Sequence, residues 1–335
     1  LVALILDKGG RDLLKYFARR ILISVLVLFA ITVVVFFLIH LAPGDPIDAM
    51  YSNIPGMTQE QLDAKKAAIG LDKPVIVQCG IYIKNLVLHG NFGESIQYRR
   101  PVLDLIWERL WNTFSLVFAS MVLSMLLAVP IGITSAVKKN SAFDYVFTSV
   151  AFFGISIPSF FFGFLMIKVF SIDLGWLPPS GVQTPGNAFS GLAMLADRLK
   201  HAIMPVSVLA LINMASYTRY VRSSISDVIK QDYIRTARAK GLRERLVIYR
   251  HALRNGLIPI VTIMGSSLAT IFSGSLITEN IFSWPGLGRL IYGATMARDY
   301  FLVMGVNVFI AFLVLLGQLI SDALLVLVDP RIKYN

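Results

Sequence analysis

Long apolar runs constrain this chain more than any other feature of its sequence. Six segments are each long enough to cross the roughly 30 Å hydrocarbon core of a bilayer as a helix. They are Ile21–Leu41, Thr113–Val137, Tyr145–Phe170, Ala202–Tyr220, Gly256–Ile277 and Val303–Val328. A soluble domain would interrupt its apolar residues at a period of about 2 or 3.6. The runs therefore predict an all-α membrane protein with six transmembrane helices.

The composition supports this class and excludes others. Hydrophobic residues make up 56% of the chain and charged residues 15%, which excludes a disordered chain and a small disulfide scaffold. The single cysteine, Cys79, permits no intrachain disulfide and no cysteine-based metal site. A net charge of +11 is typical of nucleic-acid binders, but membrane proteins also carry excess Lys and Arg on the cytoplasmic side. We expect membrane lipid as a partner, and neither nucleic acid nor metal.

The basic residues also predict how the chain is oriented. The stretch 222–255 holds nine basic and three acidic residues, whereas 42–112 holds seven basic and eight acidic ones. The positive-inside rule therefore places both chain ends in the cytoplasm and 42–112 outside. The expected division is a cytoplasmic segment 1–20, a first transmembrane helix 21–41, an extracytoplasmic cap region 42–112, a transmembrane core 113–328 with a cytoplasmic loop 222–255, and a cytoplasmic tail 329–335.

The cap region is too long for a simple connection and contains helix signals of its own. Thr58-x-x-Gln61 predicts a capped helix that ends at Gly70, Val75–Leu88 predicts a second helix, and Asn91–Gly93 predicts a turn. The region is either a docking surface for a partner or substrate, or a packing element for the helices of this chain.

The stretch Asp232–Pro259 predicts two helical pieces separated by Gly241. On the first piece, Ile234, Ala237 and Gly241 share one face by the i, i+3, i+7 rule. A short helix with a small, flat face and arginines beside it can lie in a groove of another protein. The alternative is a positive loop that only fixes topology or binds anionic lipid headgroups.

This stretch resembles the EAA loop of binding-protein-dependent ABC importer permeases, in the form found in the peptide and nickel importer family. The residues that match this form are Asp232–Gly241 and Arg250–Asn255, whereas the general form is kept only at Ala237, Gly241 and Leu253. Other family motifs follow in the same order along the chain. They are similar to His40–Pro46, Ser156–Phe160, Leu174–Gly181, Glu279–Arg289, Arg298–Tyr300 and Asp329–Arg331.

The resemblance implies the type I ABC importer fold and the role of the first (B-type) permease subunit in a prokaryotic inner or plasma membrane. It implies a heterodimer with a second, homologous permease subunit, two ABC ATPase subunits, and an extracytoplasmic solute-binding protein. The chain has no G-x-x-x-x-G-K-[ST] sequence. We therefore expect ATP and Mg to bind to the partner ATPases, and the chain itself to be neither an enzyme nor a cofactor binder.

The resemblance also implies that this stretch is the ATPase-coupling loop. Its expected coupling residues are Asp232, Ile234, Arg235, Thr236, Ala237, Arg238, Ala239, Lys240, Gly241, Arg250, His251 and Asn255. Closure of the ATPase dimer would move the first helical piece and switch the path from inward-facing to outward-facing. For His251, a simple hydrogen bond at a helix end is the alternative role.

The candidates for the translocation path are small and polar, because such side chains can line a watery passage without a fixed charge. They are Asn213, Ser216, Thr262, Ser266, Ser267, Thr270 and Ser273. Helix–helix packing is the alternative role for each of them. The expected cargo is peptides, since no His-rich or Cys-rich site marks a metal. The alternatives are nickel complexes or other small solutes, an ion-coupled secondary transporter, and a channel or scaffold without energy coupling.

Overall fold

The computed structural model describes residues 8–41, 58–68, 70–186, 189–256 and 275–328, and most of them are helical. The helices are α1 Lys8–Leu41, α2 Gln59–Ala68, α3 Val75–His89, α4 Val102–Val137, α5 Ala142–Ser156, α6 Ser159–Met166, α7 Gly191–Val228, α8 Asp232–Ala239, α9 Glu244–Leu246, α10 Leu253–Gly256, α11 Leu276–Ile281, α12 Leu287–Met296 and α13 Tyr300–Val328. Wide π-helical turns, Ile167–Asp173 and Val247–Ala252, follow α6 and α9. Strands Glu94–Ser95 (β1) and Arg100–Pro101 (β2) form an antiparallel ribbon.

Four helices in the described part of the chain are long and apolar enough to cross a membrane. They are Lys15–Leu41 within α1, Val102–Val137 (α4), Gly191–Val228 (α7) and Tyr300–Ala323 within α13. These confirm helices at the first, second, fourth and sixth predicted runs. Most of the fifth run, 257–274, lies outside the described residues.

The third predicted run is not one helix. α5 ends at Ser156 and α6 begins at Ser159, while Pro158 between them has an extended ψ of 133°. Proline has no N–H to donate and disfavours the helical conformation in the residue before it, so the helix stops there. The prediction of a helix that continues through Pro158 is wrong, although helices do continue through Pro130 and Pro205.

Two helices extend beyond the apolar runs that predict them. α4 begins at Val102 rather than Thr113, and α7 spans Gly191–Val228 rather than Ala202–Tyr220. An apolar run marks only the part of a helix suited to lipid, whereas the backbone hydrogen bonds continue into polar turns. The start of the stretch 222–255 is therefore the end of α7.

The described chain divides into two compact units. The first consists of described residues within Leu1–Trp111 and Gly286–Leu319, and the second of those within Asn112–Pro285 and Ile320–Pro330. In the first unit, the start of α4 packs against α12 and α13 through a buried apolar cluster. A smaller cluster joins α1, α3 and α13. This smaller cluster holds the cap helix α3 to the membrane-type helices α1 and α13 of the same unit.

Local motifs that the sequence predicts hold the cap in shape. Thr58 and Gln61 form a reciprocal capping box, with N–H···O distances of 3.3 Å and 3.1 Å between backbone and side chain. The N–H of Gly93 donates to Oδ1 of Asn91 at 2.8 Å, which closes the predicted turn. The β-ribbon after this turn is not predicted, since two-residue strands leave no periodic pattern.

A buried carboxyl group joins this ribbon to the start of α13. Asp299 is fully buried and accepts hydrogen bonds from Oγ of Ser95 at 2.5 Å and from the N–H of Gln97 at 3.0 Å. It also caps α13 by accepting from the N–H of Leu302 at 3.2 Å. Three donors thus satisfy oxygens that burial removes from water.

Replacing Asp299 by Ala is expected to lower the free energy of unfolding by about 1–3 kcal/mol, because it removes a helix cap and leaves buried donors unpaired. Thermal melting of the purified protein in detergent measures this loss. Asp72→Ala is the control, because Asp72 is an exposed carboxylate in the cap region. Equal melting temperatures for the two variants would contradict the capping role.

Candidate functional site

The first helical piece of the predicted coupling loop is α8. It begins at Asp232, whose carboxylate lies in the first turn, where it complements the positive end of the helix dipole. It ends after Ala239, and Gly241 follows with a left-handed φ of +74°. The N–H of Gly241 donates to the carbonyl oxygen of Arg238 at 2.9 Å. A residue with a Cβ would be strained in this conformation, so the glycine provides the stop that the sequence predicts.

The predicted docking face of this helix is wrong in the structure. Ile234 is fully buried and Ala237 is 7% exposed, and both pack against Val247 and Ala252 of the π-helical turn. The loop folds back on itself, and an apolar stripe on a short helix packs first against the nearest apolar surface of its own chain. Gly241 lies in open space and does not share this face.

The outward face of α8 consists of the residues opposite this buried stripe. At 100° per residue, Asp232, Arg235, Thr236 and Ala239 point away from Ile234, and all four are exposed. Arg235 and Asp232 form a loose ion pair at 3.6 Å, and Oγ1 of Thr236 donates to the carbonyl oxygen of Asp232 at 3.0 Å. The helix therefore offers a small residue, Ala239, beside a hydroxyl group and an arginine.

Arg238 belongs to the loop's own structure rather than to a free border. Its guanidinium donates two hydrogen bonds to Glu244, at 2.6 Å and 3.1 Å. These bonds hold the pKa of the Glu244 carboxyl below its usual value. The pair joins α8 to α9 across the turn at Gly241. Because both side chains are substantially exposed to solvent, the pair fixes geometry more than it adds stability.

The other predicted coupling residues lie on the segment after this turn. Lys240 is exposed at the end of α8, Arg250 is exposed on the π-helical turn, and His251 beside it is half-buried. The backbone of Asn255 lies in α10, but its side chain is outside the described residues. The predicted role of these residues in joining the loop to the fifth run stays a prediction.

One hydrogen bond that the sequence did not predict joins the end of α7 to the start of the fifth run. Oγ of Ser224, near the end of α7, donates to the carbonyl oxygen of Gly256 at 2.8 Å. Beside it, a Cβ added to Gly256 would collide with the side chain of Ile225. The small hydroxyl residue and the glycine let α10 lie directly against α7. Nothing in a single sequence pairs these two positions.

A second missed interaction joins α5 to α7. Arg222 donates to both carboxylate oxygens of Asp144, at 2.7 Å and 2.8 Å. Asp144 is 3% exposed and also accepts from the N–H of Asn140 at 3.0 Å. The hydrogen bonds from Arg222 lower the pKa of the Asp144 carboxyl. The pattern Ser141-x-x-Asp144 before an apolar run is a helix-start signal that could have marked this carboxylate.

Helices α4 and α7 approach each other closely one turn from this ion pair. A Cβ on Gly132 would lie 2.6 Å from Cβ of Val221 and 3.0 Å from the carbonyl oxygen of Thr218. A side chain at this position would therefore force the two helices apart. Here the small residue serves helix packing, which is the alternative that the sequence leaves open for such positions.

Two of the predicted path residues lie on α7, and the others are not described. Asn213 and Ser216 are half-buried and share one face of the helix, whereas Met214 and Ala215 between them are buried. The remaining candidates lie outside the described residues: Thr262, Ser266, Ser267, Thr270 and Ser273.

A buried acid begins the motif Glu279–Arg289, near the expected outer end of the fifth run, and the sequence predicted no role for it. Glu279 is fully buried and accepts hydrogen bonds from Oγ1 of Thr113 at 2.8 Å and Oγ of Ser275 at 2.6 Å. Trp284 is 5% exposed, and its Nε1 donates to the carbonyl oxygen of Asn112 at 3.0 Å. Its indole ring fills a buried apolar cluster with Leu116 and Leu209.

The described residues hold no group of three His, Cys, Asp or Glu side chains that could bind a metal ion. That the chain binds no cofactor of its own stays a prediction. What the arrangement offers is mechanical: a short exposed helix that packs on its own loop, and a following segment, α10, that is joined to α7 by a hydrogen bond.

Replacing Asp144 by Asn is expected to lower the free energy of unfolding by about 1.5–3 kcal/mol at neutral pH. Because the folded protein holds the pKa of this carboxyl below its ordinary value of 3.8, the contribution is fully present above that value. It is lost as the pH falls through the lowered pKa, so the two melting curves should converge in acid. Melting temperatures measured from pH 7 down to about pH 2 check this.

The control for this comparison is Asp173→Asn. Asp173 pairs with Lys168 at 2.7 Å, but both side chains are exposed, so the cost should stay below about 1 kcal/mol. A gap between wild type and Asp144→Asn that does not change with pH would contradict the charge-based account.

Two family profiles together cover most of the chain. The family described as "Binding-protein-dependent transport system inner membrane component" matches residues 128–334, and the corresponding N-terminal family matches residues 13–117. The "Oligopeptide transport system permease protein AppB" of Bacillus subtilis (strain 168) is 42% identical over 320 residues, which are 95% of this chain and 99% of that protein. The "Dipeptide transport system permease protein DppB" of Alkalihalophilus pseudofirmus is 36% identical over 336 residues, covering 96% and 100%.

The fold agrees with a solved structure of the same kind. A chain of the MetNI methionine ABC transporter, in an inward-facing conformation, matches with a TM-score of 0.52 at 17% identity. The match covers 68% of this chain and 97% of that one, which shows a shared fold. The chain is a multi-pass membrane protein and belongs to the family of binding-protein-dependent transport system inner membrane components.

Proposed function

We propose that this chain is a permease subunit of an ATP-driven peptide importer and forms half of its translocation path. The observation that carries this proposal is similarity over nearly the whole chain to permeases named for oligopeptide and dipeptide transport. The shared fold with a methionine ABC transporter supports the import mechanism. The chain is a transport subunit rather than an enzyme, and the partner ATPases bind ATP and Mg and hydrolyse the ATP.

In this proposal the chain crosses the membrane six times, with both termini in the cytoplasm. The excess of basic residues in 222–255 supports this orientation, because it places α8 on the cytoplasmic side, where an ATPase works. Its domains have the bounds expected from the sequence, from the cytoplasmic segment 1–20 to the cytoplasmic tail 329–335. The third crossing uses α5 and α6 in series around Pro158.

The ATPase contact is the outward face of α8, formed by Asp232, Arg235, Thr236 and Ala239. The opposite face is unavailable to a partner, because Ile234 and Ala237 are buried in the loop. The ion pair of Arg238 with Glu244 and the bond from Ser224 to Gly256 support a stiff loop. A stiff loop can transmit the closing movement of the ATPases to α7.

The complete importer also contains a second, homologous permease subunit, two ATPase subunits and an extracytoplasmic solute-binding protein. Family membership supports these partners, since the family is defined by transport that depends on a binding protein. The path lies between the two permeases. On this chain it includes Asn213 and Ser216, together with the small polar residues of the fifth run.

Replacing Ala239 by Glu is expected to abolish ATP-dependent peptide uptake in reconstituted vesicles, because it places a bulky charge at the centre of the proposed ATPase contact. The melting temperature should stay unchanged, since Ala239 is exposed. Copurification of the ATPase subunits and uptake of a labelled tripeptide are the two measurements.

The matched control is Ala142→Glu, which adds the same charge at an exposed alanine in the first turn of α5. Ala237→Glu would not separate docking from folding, because Ala237 is buried within the loop. Normal uptake by Ala239→Glu would show that the ATPase does not bind this face.

A cysteine at Ser216 is expected to react with a membrane-impermeant maleimide in the assembled complex, and saturating peptide should slow the reaction severalfold. Mass spectrometry of the labelled chain measures the rate. The background is low, because the single native cysteine, Cys79, is buried.

Ala215→Cys is the matched control. Ala215 lies next to Ser216 on α7 but is only 1% exposed, so a cysteine there should not react. If neither ATP nor peptide changes the labelling rate of Ser216→Cys, this face of α7 serves helix packing and does not line the path.

A further inference from the structure

Helix α3 is apolar but too short to cross a membrane. It has 15 residues, Val75–His89. At 1.5 Å per residue it spans about 22 Å, whereas the hydrocarbon core of a bilayer is about 30 Å thick. Short apolar helices of membrane proteins are either buried in the protein or lie at the membrane interface. The exposure of the side chains of α3 and the depth of its contacts separate these two cases.

One side of α3 is buried against membrane-type helices. Cys79 and Tyr82 on this side pack with Phe36 of α1 and Met304 of α13. The ring centroids of Tyr82 and Phe36 lie 6.2 Å apart. This side therefore fixes the position of α3 relative to two helices that are long enough to cross the bilayer.

The opposite side of α3 is apolar and exposed. Ile76 is 77% exposed, Val87 is 73% exposed and Leu88 is 66% exposed. At 100° per residue these side chains point to the same half of the helix. No described part of the chain covers them, and a contiguous apolar patch of this kind marks a contact with a membrane or another protein. This side is the outer face of α3, and it consists of Ile76, Val77, Gly80, Lys84, Val87 and Leu88.

Contacts with α1 place α3 at the depth of one leaflet. His40, next to the last residue of α1, has its Nε2 3.2 Å from Oε1 of Gln78 near the start of α3. Phe36, one turn earlier in α1, pairs with Tyr82, one turn later in α3. The two helices therefore run antiparallel along the end of the first apolar run. Phe36 lies about 7 Å along α1 from Leu41, the last residue of that run, and one leaflet of hydrocarbon is about 15 Å deep.

Contacts with α13 give the same depth for the other end of α3. Met304, which packs in the cluster with α3, lies at the start of the sixth apolar run, 303–328. A Cβ added to Gly93, four residues after α3, would lie 2.9 Å from Cδ1 of Phe301. The chain that leaves α3 is therefore level with the first turn of α13. Both ends of α3 thus lie close to the same membrane boundary.

The ends of α3 are hydrogen-bonded in the way that contact with lipid requires. Gly90 follows the helix with a left-handed φ of +60°. The N–H groups of Gly90 and Asn91 donate to the carbonyl oxygens of Leu86 and Asn85, at 3.1 Å and 3.2 Å. At the other end, the side-chain amide of Gln78 donates to two carbonyl oxygens of the loop before α3. These bonds satisfy backbone groups that would find little water at this depth.

We propose that α3 lies in the leaflet next to the cap region, with its outer face in contact with phospholipid. The aliphatic side chains of this face meet acyl chains, and Lys84, near its centre, extends its ammonium group to the lipid phosphates. Lipid is the occupant because of depth, since α1 exposes further apolar side chains at the same levels. They are Val34, Phe37, Leu38 and Leu41.

This inference goes beyond the proposed function, because it does not depend on the cargo or on the ATPases. The proposed orientation makes the leaflet the outer one. Within the cap region, α3 is then the part that lies in the membrane, whereas the polar helix α2 is suited to water.

The test measures how often a nitroxide spin label collides with two reagents in the complete complex, reconstituted in nanodiscs of phosphatidylethanolamine and phosphatidylglycerol. Oxygen concentrates in hydrocarbon, and a nickel–EDDA complex stays in water. The label is attached at Val87→Cys and, in a second variant, at Ile76→Cys. The background is low, because the native Cys79 is buried.

The matched control is Ala64→Cys, at an exposed alanine of α2. The ratio of oxygen collisions to nickel collisions at Val87→Cys and Ile76→Cys is expected to exceed that at Ala64→Cys at least about fivefold, as for a helix whose apolar face is buried in the interface.

A charge on the outer face tests the same contact without a label. Val87→Asp is expected to lower the melting temperature of the complex in nanodiscs by several degrees, because its carboxylate would face hydrocarbon. Ala64→Asp adds the same charge on α2 and should leave the melting temperature unchanged. In water, an exposed valine could be replaced at little cost. Equal melting temperatures for the two variants would therefore contradict the contact with lipid.

Three other outcomes of the collision measurement would overturn the inference. Nickel collisions at Val87→Cys as frequent as at Ala64→Cys would place the outer face in water. Few collisions with either reagent would mean that a protein segment covers it. A fall in nickel collisions on addition of the solute-binding protein would make that protein the occupant. These measurements use neither peptide nor ATP, so an importer that fails to take up peptide would refute the proposed function and leave this inference standing.

Discussion

A bilayer offers no water to the peptide backbone, and the rest of this structure follows from that constraint. Each N–H and C=O at membrane depth must find its partner within the protein, which leaves the helix as the economical solution for a chain of this composition. Side chains are then free to serve packing, and small residues such as Gly132 allow the close contact between α4 and α7. Polar side chains are retained where they bond to something definite, as Asp144 does with Arg222.

Where the constraint relaxes, the chain makes its turns with local chemistry. Asp299 caps α13 and binds the ribbon, and Glu279 is enclosed by hydroxyl groups. Both acids are buried, and each accepts from a donor distant in sequence as well as from one nearby. Such contacts fix the ends of helices in a way that apolar packing, which has no direction, does not.

The sequence predicted features that depend on one stretch of chain. The apolar runs in α1, α4 and α13 have the required length, and Thr58 and Gln61 cap α2 as their spacing indicates. Contacts between distant residues were not predictable, and the bonds from Ser224 to Gly256 and from Arg222 to Asp144 belong to this kind. The break at Pro158 depended on whether neighbouring helices would compensate the lost hydrogen bond, and a single sequence does not carry that information.

The predicted docking face of α8 was wrong for the same reason, because a single sequence does not show which surfaces meet. The periodicity correctly grouped Ile234 with Ala237, but it could not say whether that stripe faces a partner or the chain itself. The presence of Val247 and Ala252 beneath the helix decides the question. An amphipathic helix in a loop therefore identifies two faces from sequence, and only the fold assigns them.

This assignment divides the helix between two sets of selective pressures. A substitution at Ile234 or Ala237 changes the packing inside this chain, whichever partner binds the loop. In the proposed complex, substitutions on the exposed face change the contact with the ATPase groove. The positions on this face are Asp232, Arg235, Thr236 and Ala239. These four positions are then the ones that must change together with the groove when related importers in one cell diverge. A permease could be redirected to another importer's ATPase by exchanging that quartet alone, without disturbing the helix that carries it.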